Sequence, residues 1–158
     1  MLILGIDPGL NYTGWGIIKN DSSSISYVDC NIIKPNAKLD TSRRLFHIYD
    51  ELKQVFNKYQ VDAVSIEETF INKDMKGSLK LGYARGIGLM IPSIYNIPVF
   101  EYAPNTVKKT VAGRGHASKD DIKLILSFLM PQIKKINVGN DAIDAIAIAV
   151  CHSYHKQY

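Results

Sequence analysis

Four acidic residues stand where solvation alone does not easily explain an ionised carboxylate. Asp7 and Glu67 each end an apolar, strand-like run, LILGID and VDAVSIE, with small residues on the same face. Asp141 and Asp144 open a helix-like run in which seven consecutive apolar residues follow Asp144. Because residues three apart share a helix face, these two side chains can point at one place.

Most of these acids also have a simpler explanation. Asp7 precedes Pro8-Gly9 and fits a residue that starts a turn. Glu67 fits a solvated strand end, and Asp141 fits a first-turn acid that favours the positive end of a helix dipole. Asp144 is the hardest to explain in this way, because a buried charge needs a compensating partner.

A converged cluster of all four acids predicts a metal site. Mutual repulsion would raise their pKa values or oppose folding, and a divalent cation removes that repulsion. Carboxylates without Cys or His partners suit Mg²⁺, with Mn²⁺ as a substitute, rather than Zn²⁺. Two such ions in one site can activate water and stabilise the leaving oxygen in phosphodiester hydrolysis.

The middle of the chain is basic. Residues 71–119 hold eight Lys and Arg against two acids, whereas the rest of the chain holds 11 bases and 13 acids. This asymmetry favours a polyanion partner, although charged residues also form ordinary solvated faces. The candidate contacts to such a partner are Phe70, Lys73, Lys76, Lys80, Arg85, Lys108, Lys109, Arg114, His116 and Lys119. Phe70 also fits a core residue, and His116 a solvated loop residue.

Apolar periodicity predicts the elements that position these residues. Strands over 2–7, 13–19 and 25–33 are joined tightly and predict an antiparallel meander. Further strands over 61–67 and 97–101 interleave with helices. The helices are predicted from Thr41 or Ser42 to about Tyr59, over 76–95, over 104–111, from a capping box of Ser118 and Asp121, and over about 140–155. The pattern therefore predicts an α/β fold with a mixed five-stranded sheet flanked by helices.

Three details of the helices carry further expectations. Pro92 should kink or end the second helix, because proline lacks the N–H donor. Gly82 and Gly86 should allow a neighbour to approach that helix closely. His152 and His155 should cap the last helix at its C-terminus rather than bind metal.

Composition places the chain among ordinary globular proteins. Its 158 residues, 46% hydrophobic and 22% charged, predict a single domain over 1–158 and exclude a disordered tail, a collagen-like fibre and a disulfide miniprotein. No apolar run reaches the ~18 residues of a membrane span, and the first six residues do not fit a signal peptide. Cys30 and Cys151 lie in apolar stretches and are expected to be buried free thiols in a reducing cytoplasm.

The ordered motifs resemble the RuvC family of bacterial Holliday junction resolvases, which have a ribonuclease H-like fold. The matching segments are LGIDPGL at 4–10, Ile66-Glu67 followed by Phe70, LGYARG at 81–86, YAP at 102–104 with VKKTV at 107–111, and DAIDAIA at 141–147. The first motif alone is weak, but the complete set in family order is specific.

The resemblance implies a cytoplasmic homodimer that binds four-way junction DNA and nicks two strands symmetrically in homologous recombination and DNA repair. It implies 5′-phosphate and 3′-hydroxyl ends and a partnership with the RuvAB branch-migration complex. Asp7, Glu67, Asp141 and Asp144 would be the catalytic, metal-binding acids, with Asp7 bridging two Mg²⁺ ions. Lys119 would stabilise charge on the phosphate and Lys108 would position the backbone, while Phe70 would lie at the junction centre.

Three other classes of protein share parts of this pattern. Gly5-Ile-Asp-Pro-Gly9 also resembles the phosphate loop of actin-like ATPases and sugar kinases, but that fold needs two such domains. The YqgF-type nucleases share the first motif and differ in the acid-bearing strand and the last helix. A junction-binding protein without catalysis is opposed only by the complete set of four acids.

Overall fold

The protein forms one mixed sheet, seen in a computed structural model that describes residues 1–21, 23–69 and 74–155. The strands are β1 (Leu2–Asp7), β2 (Thr13–Asn20), β3 (Ile25–Ile33), β4 (Ala63–Glu67) and β5 (Val99–Tyr102), in the order β3-β2-β1-β4-β5. The β1–β2 and β2–β3 pairs are antiparallel, whereas β1–β4 and β4–β5 are parallel. The predicted mixed five-stranded sheet with an N-terminal meander is confirmed.

The helices cover both faces of this sheet. They are α1 (Thr41–Lys58), α2 (Met75–Ile94), α3 (Pro104–Ala112), α4 (Lys119–Leu129) and α5 (Asn140–His155), with a short 3₁₀ helix over Pro131–Lys135 that was not predicted. One core contains α3, α4 and α5 side chains, and the other contains α1 and α2 side chains. Along β1, Ile3 belongs to the first core and Leu4 to the second, as the alternation of a strand requires.

The last helix is buried almost all round. Every α5 residue from Ala142 to Ser153 is buried except Asp144, which is partly exposed. This confirms the expectation drawn from its apolar run, and it fixes the helix firmly against β1 and β2.

Two predicted helix starts have different outcomes. The capping box of α4 is confirmed, because Ser118 accepts from the Asp121 N–H and Asp121 accepts from the Ser118 N–H. The cap of α1 was predicted one or two residues too late. Asp40 is the cap, and its carboxylate accepts from the Arg43 N–H at 2.9 Å.

Pro92 lies in the last turn of α2. The helix continues through Pro92 and ends at Ile94, two residues later, which is close to the predicted end. Gly82 and Gly86 face open space, and within the described part of this chain a Cβ built there would have no atom within 4 Å apart from its chain neighbours and the adjacent helix backbone. The described residues of a single chain therefore do not supply the close neighbour that was predicted for this helix.

The two histidines of the last helix behave differently from each other. His155 lies with Nδ1 2.9 Å from the Cys151 carbonyl oxygen, as a C-terminal cap should. His152 does not cap the helix, because it is buried, stacks on Phe100 and shares a 2.7 Å hydrogen bond with the Tyr102 hydroxyl.

Two expectations about chain class can be compared with the structure. Cys30 and Cys151 are buried free thiols, as predicted. Within the described ranges no helix has the length and apolar character needed to cross a membrane.

Candidate active site

Three of the four predicted acids meet at one edge of the sheet. Asp7 is the last residue of β1, and Asp141 and Asp144 lie in the first turns of α5. One carboxylate oxygen from each residue lies within 4.8 Å of the other two. The three side chains are partly buried, so the cluster lies at the edge of the core rather than on a fully exposed surface.

A glycine on β2 allows this approach. Gly14 pairs with Asp7 across the β1–β2 ladder. A Cβ at position 14 would lie 2.0 Å from the Asp141 carbonyl oxygen, closer than van der Waals contact permits. The absence of a side chain at Gly14 therefore lets the start of α5 lie against the strand end that carries Asp7.

Glu67 lies beside the cluster rather than inside it. It ends β4, which runs parallel to β1 with Ile66 opposite Ile6, so Glu67 comes abreast of Asp7. The group of acids with mutually close oxygens, among the residues that the structure describes, does not include it. Glu67 and Asp7 instead share the wall of one cleft. Among the described residues, the same wall also includes Pro8, Glu68, Thr69, Leu81 and Pro104.

Burial and like charges make the carboxyl groups of Asp7 and Glu67 hard to ionise. Burial, together with the charges of Glu67, Asp144 and Asp141, raises the pKa of Asp7 to about 8. Burial also raises the pKa of Glu67, with a further contribution from Asp144, and Lys119 and Lys108 partly offset it. A hard cation with oxygen ligands would relieve both effects, so the donor set fits a divalent metal ion.

A lysine already approaches the cluster from α4. Lys119 is the first residue of α4, directly after the Ser118 cap. Its Nζ atom donates to Asp144 Oδ2 at 2.6 Å, and this hydrogen bond raises the pKa of Lys119. The predicted catalytic lysine thus contacts one of the predicted metal ligands directly.

The other predicted DNA contacts are distributed over α2, α3 and the segment before α4. Arg85 forms an ion pair with Glu101 on β5, and Arg114 forms one with Asp121 at 2.7 Å. Lys108 on α3 is half-buried near Glu67. The remaining described candidates are all exposed, namely Lys76, Lys80, Lys109 and His116. Phe70 and Lys73 lie outside the described residues.

Sequence reasoning did not single out Thr13, which holds the turn after Asp7. The buried Thr13 hydroxyl donates to the Gly9 carbonyl oxygen at 2.7 Å and accepts from the Gly9 N–H at 3.3 Å. These two bonds close the 9–13 segment and so fix the chain that leaves Asp7. A hydroxyl residue four positions after a Pro-Gly turn was the available signal.

Known proteins resemble this chain over almost its whole length. Residues 3–152 match the family model described as "Crossover junction endodeoxyribonuclease RuvC". Proteins of that name from Rhizobium johnstonii and Agrobacterium fabrum are each 44% identical over 154 residues. The aligned part is 98% of this chain in both cases, and 90% and 89% of the two relatives.

Solved structures agree with the fold. The structure titled "T. thermophilus RuvC in complex with Holliday junction substrate" superimposes with a TM-score of 0.90 at 27% identity, covering 98% of this chain and 94% of that one. The yeast mitochondrial Holliday junction resolvase Ydc2 shares the fold at a TM-score of 0.66 and 13% identity, covering 96% of this chain and 78% of that one. The acid cluster lies at the end of β1 and the start of α5. Together with this family match, it shows that the chain belongs to the RuvC family of crossover junction endodeoxyribonucleases.

Proposed function

We propose that this protein resolves Holliday junctions in homologous recombination and DNA repair, with residues 1–158 acting as one nuclease domain. It would make paired, symmetric nicks that leave 5′-phosphate and 3′-hydroxyl ends. The observation that carries the proposal is the cluster of Asp7, Asp141 and Asp144 at the edge of the sheet, in a chain of this family.

The proposed cofactor is Mg²⁺, with Mn²⁺ as a substitute and two ions in each active site. Asp7, Asp141 and Asp144 would hold them, with Glu67 completing the ligand set from the neighbouring strand. Divalent ions bound there would activate the attacking water and stabilise the leaving oxygen. The donor set supports this choice, because it consists of carboxylates without a His or Cys in the group.

The side chains around the acids have distinct proposed roles. Lys119 lies within reach of the cluster and would stabilise negative charge that develops on the scissile phosphate. Lys108, close enough to affect Glu67, would hold the DNA backbone in register with the acids. Because Asp141 and Asp144 lie on α5, a helix that is buried on its other sides, their backbone positions are set before DNA binds.

A homodimer would match two such sites to the near two-fold symmetry of an open junction. The outer face of α2 supports this proposal, because large apolar side chains are exposed along its whole length and Gly82 and Gly86 leave room between them. These side chains are Met75, Leu79, Tyr83, Met90 and Ile94. The continuity of α2 through Pro92 keeps both ends of that face on one helix.

The remaining partners rest on the family likeness. Four-way junction DNA is the proposed substrate, contacted by the basic residues of α2 and α3, by Lys119 and by the predicted contacts Phe70 and Lys73. A cytoplasmic location and a functional partnership with RuvAB are proposed on the same ground.

A labelled synthetic four-way junction provides the test. With Mg²⁺, the protein should place symmetric nicks in two strands of like polarity and should leave a linear duplex of the same sequence intact. With EDTA, it should bind the junction without cutting it. Equal cutting of the duplex, or binding without cutting in Mg²⁺, would contradict the proposal and would favour a non-specific nuclease or a junction-binding protein respectively.

A further inference from the structure

Lys119 forms an ion pair with Asp144, which is also a proposed metal ligand. Lys119 Nζ lies 2.6 Å from Asp144 Oδ2, and the Asp144 carboxylate belongs to the group that is suited to hold a metal ion. The same ammonium group faces the charges of Asp7 and Asp141. Lys119 therefore supplies positive charge at the place where a divalent cation would supply it.

The two cations oppose each other at this carboxylate. A hydrogen bond to Lys119 withdraws charge from Asp144, and the ammonium group repels a second cation nearby. The acid cannot move away easily, because Asp144 projects from a helix that is buried on its other sides. Lys119 can move, because its side chain is 63% exposed and carries a flexible four-carbon stem, whereas the Asp144 side chain is 27% exposed.

A DNA phosphate offers Lys119 an alternative partner. Lysine binds phosphate as a point charge, so one swing of the side chain would exchange the carboxylate for the DNA backbone. The carboxylate that is released by this exchange becomes fully available to a metal ion. Because coupling between two binding events is reciprocal, a bound metal ion would in turn release Lys119 towards DNA.

We propose that Lys119 is an exchangeable counter-ion, which holds Asp144 in the metal-free protein and passes to the phosphate when DNA binds, so that DNA binding and metal binding reinforce each other. This inference rests on the proposed function, since it assumes a metal site at the acids and a phosphate beside it. It assigns to Lys119 a positioning role in assembling the site, separate from any part in the chemical step.

Metal binding without DNA tests the first half of this proposal. Mn²⁺ is titrated by calorimetry into metal-free wild type, Lys119→Met and Lys108→Met, where the last variant removes a nearby charge that does not bond to a ligand. Loss of an ion pair worth ~1 kcal/mol corresponds to about fivefold, so Lys119→Met should bind Mn²⁺ about fivefold more tightly than wild type. Lys108→Met should change the affinity less. Equal changes in the two variants, or no change in Lys119→Met, would overturn the proposal.

Coupling to DNA tests the second half. The affinity of a fluorescent four-way junction is measured with and without Ca²⁺, and gels verify that the junction remains uncut. The strengthening of DNA binding by Ca²⁺ should be about fivefold smaller in Lys119→Met than in wild type, because the variant has no side chain to release. Equal strengthening in both proteins would contradict the exchange.

Two controls keep the outcomes separate. Circular dichroism in EDTA verifies folding, and Lys119→Gln replaces Lys119→Met in both titrations if the methionine variant does not fold. Absence of Mn²⁺ binding in wild type, with no junction cutting, would overturn the proposed function itself. If wild type binds Mn²⁺ and cuts the junction, and the Lys119 variant shows the same Mn²⁺ affinity and the same effect of Ca²⁺ on junction binding, only the exchange is overturned.

Discussion

Glycines serve opposite purposes on the two faces of the sheet. At Gly5 and Gly14, which face α5, an added Cβ would overlap backbone carbonyl oxygens of that helix, at 1.9 Å and 2.0 Å. At Gly82 and Gly86 on α2, an added Cβ would meet nothing within 4 Å among the described residues. Gly5 and Gly14 allow α5 to pack closely on the sheet, whereas Gly82 and Gly86 leave the outer surface of α2 without side chains at two positions.

This difference separates the active site from the proposed dimer surface. The acids of α5 are fixed by backbone contact with β1 and β2, so the site can be complete within one subunit. Among the described residues, no part of the chain covers the exposed face of α2, so its apolar side chains are available to a second copy. Damage to the first region should affect folding and chemistry, whereas damage to the second should affect assembly.

The largest effect is expected at Gly14. Gly14→Ala would push Asp141 and the start of α5 away from β2, and overpacking of this kind costs about 1–3 kcal/mol or more in unfolding free energy. Urea unfolding monitored by circular dichroism measures the loss. Gly82→Ala is the control and should stabilise the isolated subunit slightly, because alanine favours a helix by ~1 kcal/mol over glycine. A Gly14→Ala protein as stable and active as wild type would refute the close-packing account.

Charge on the outer face of α2 should break the dimer. Leu79→Glu places a carboxylate in the apolar row, where it would be buried without a partner on dimerisation. Sedimentation velocity should show a monomer that still binds Mn²⁺ and has lost paired nicking. Leu124→Glu is a matched control on α4, since Leu124 is 54% exposed and Leu79 is 56% exposed. A monomeric Leu124→Glu variant with a dimeric Leu79→Glu variant would place the dimer surface on α4 instead.

The acid cluster should make metal-free stability depend on pH. Asp7 has a pKa of about 8 in the folded protein against an ordinary value of 3.8, so the folded state keeps a proton that the unfolded chain releases. The resulting stabilisation is complete below about pH 4 and is lost as the pH rises through about 8.

Thermal unfolding in EDTA measures this effect between pH 5 and pH 8, roughly the window set by those two values. Wild type should lose stability relative to Asp7→Asn as the pH rises, because the amide does not titrate. Parallel stability curves for the two proteins would show that Asp7 has an ordinary pKa.

The smallest effect is expected at Lys108. Lys108→Ala should lower the slope of junction affinity against salt concentration by about one unit, as loss of one phosphate contact does. Fluorescence anisotropy over a range of salt concentrations measures the slope. Lys53→Ala, on α1 at the opposite face of the sheet, should leave the slope unchanged, and an unchanged slope in Lys108→Ala would remove its phosphate assignment.

The sequence predicted the elements that its own local pattern determines. Apolar runs that end in Asp7 and Glu67 marked the strand ends, and the long apolar run after Asp144 marked a buried helix. These signals are strong because an ionised carboxylate at the edge of an apolar element costs free energy unless a partner compensates its charge. The meander and the capping box at Ser118 were predictable for a different reason, because each is formed by residues that lie close together in the sequence.

Long-range pairing was not predictable from local pattern. Arg85 and Glu101 come from different elements, as do Lys119 and Asp144, so only the folded chain shows that each basic residue has an acidic partner. The role of Gly14 depends on how closely α5 approaches β2, which no local signal reports. At Pro92 the local signal marked the end of α2 to within a few residues, since the helix ends at Ile94.

Cleavage by Asp7→Asn tests the central claim most directly, namely that acids from separate elements act together on a DNA strand. A labelled four-way junction is incubated in Mg²⁺ with wild type and with Asp7→Asn, and cutting and binding are measured on the same samples. We predict that the variant loses more than the roughly 100-fold that removal of an outer partner of a metal ligand costs, while junction binding stays close to wild type. Cutting at the wild-type rate, or loss of binding together with cutting, would contradict the claim.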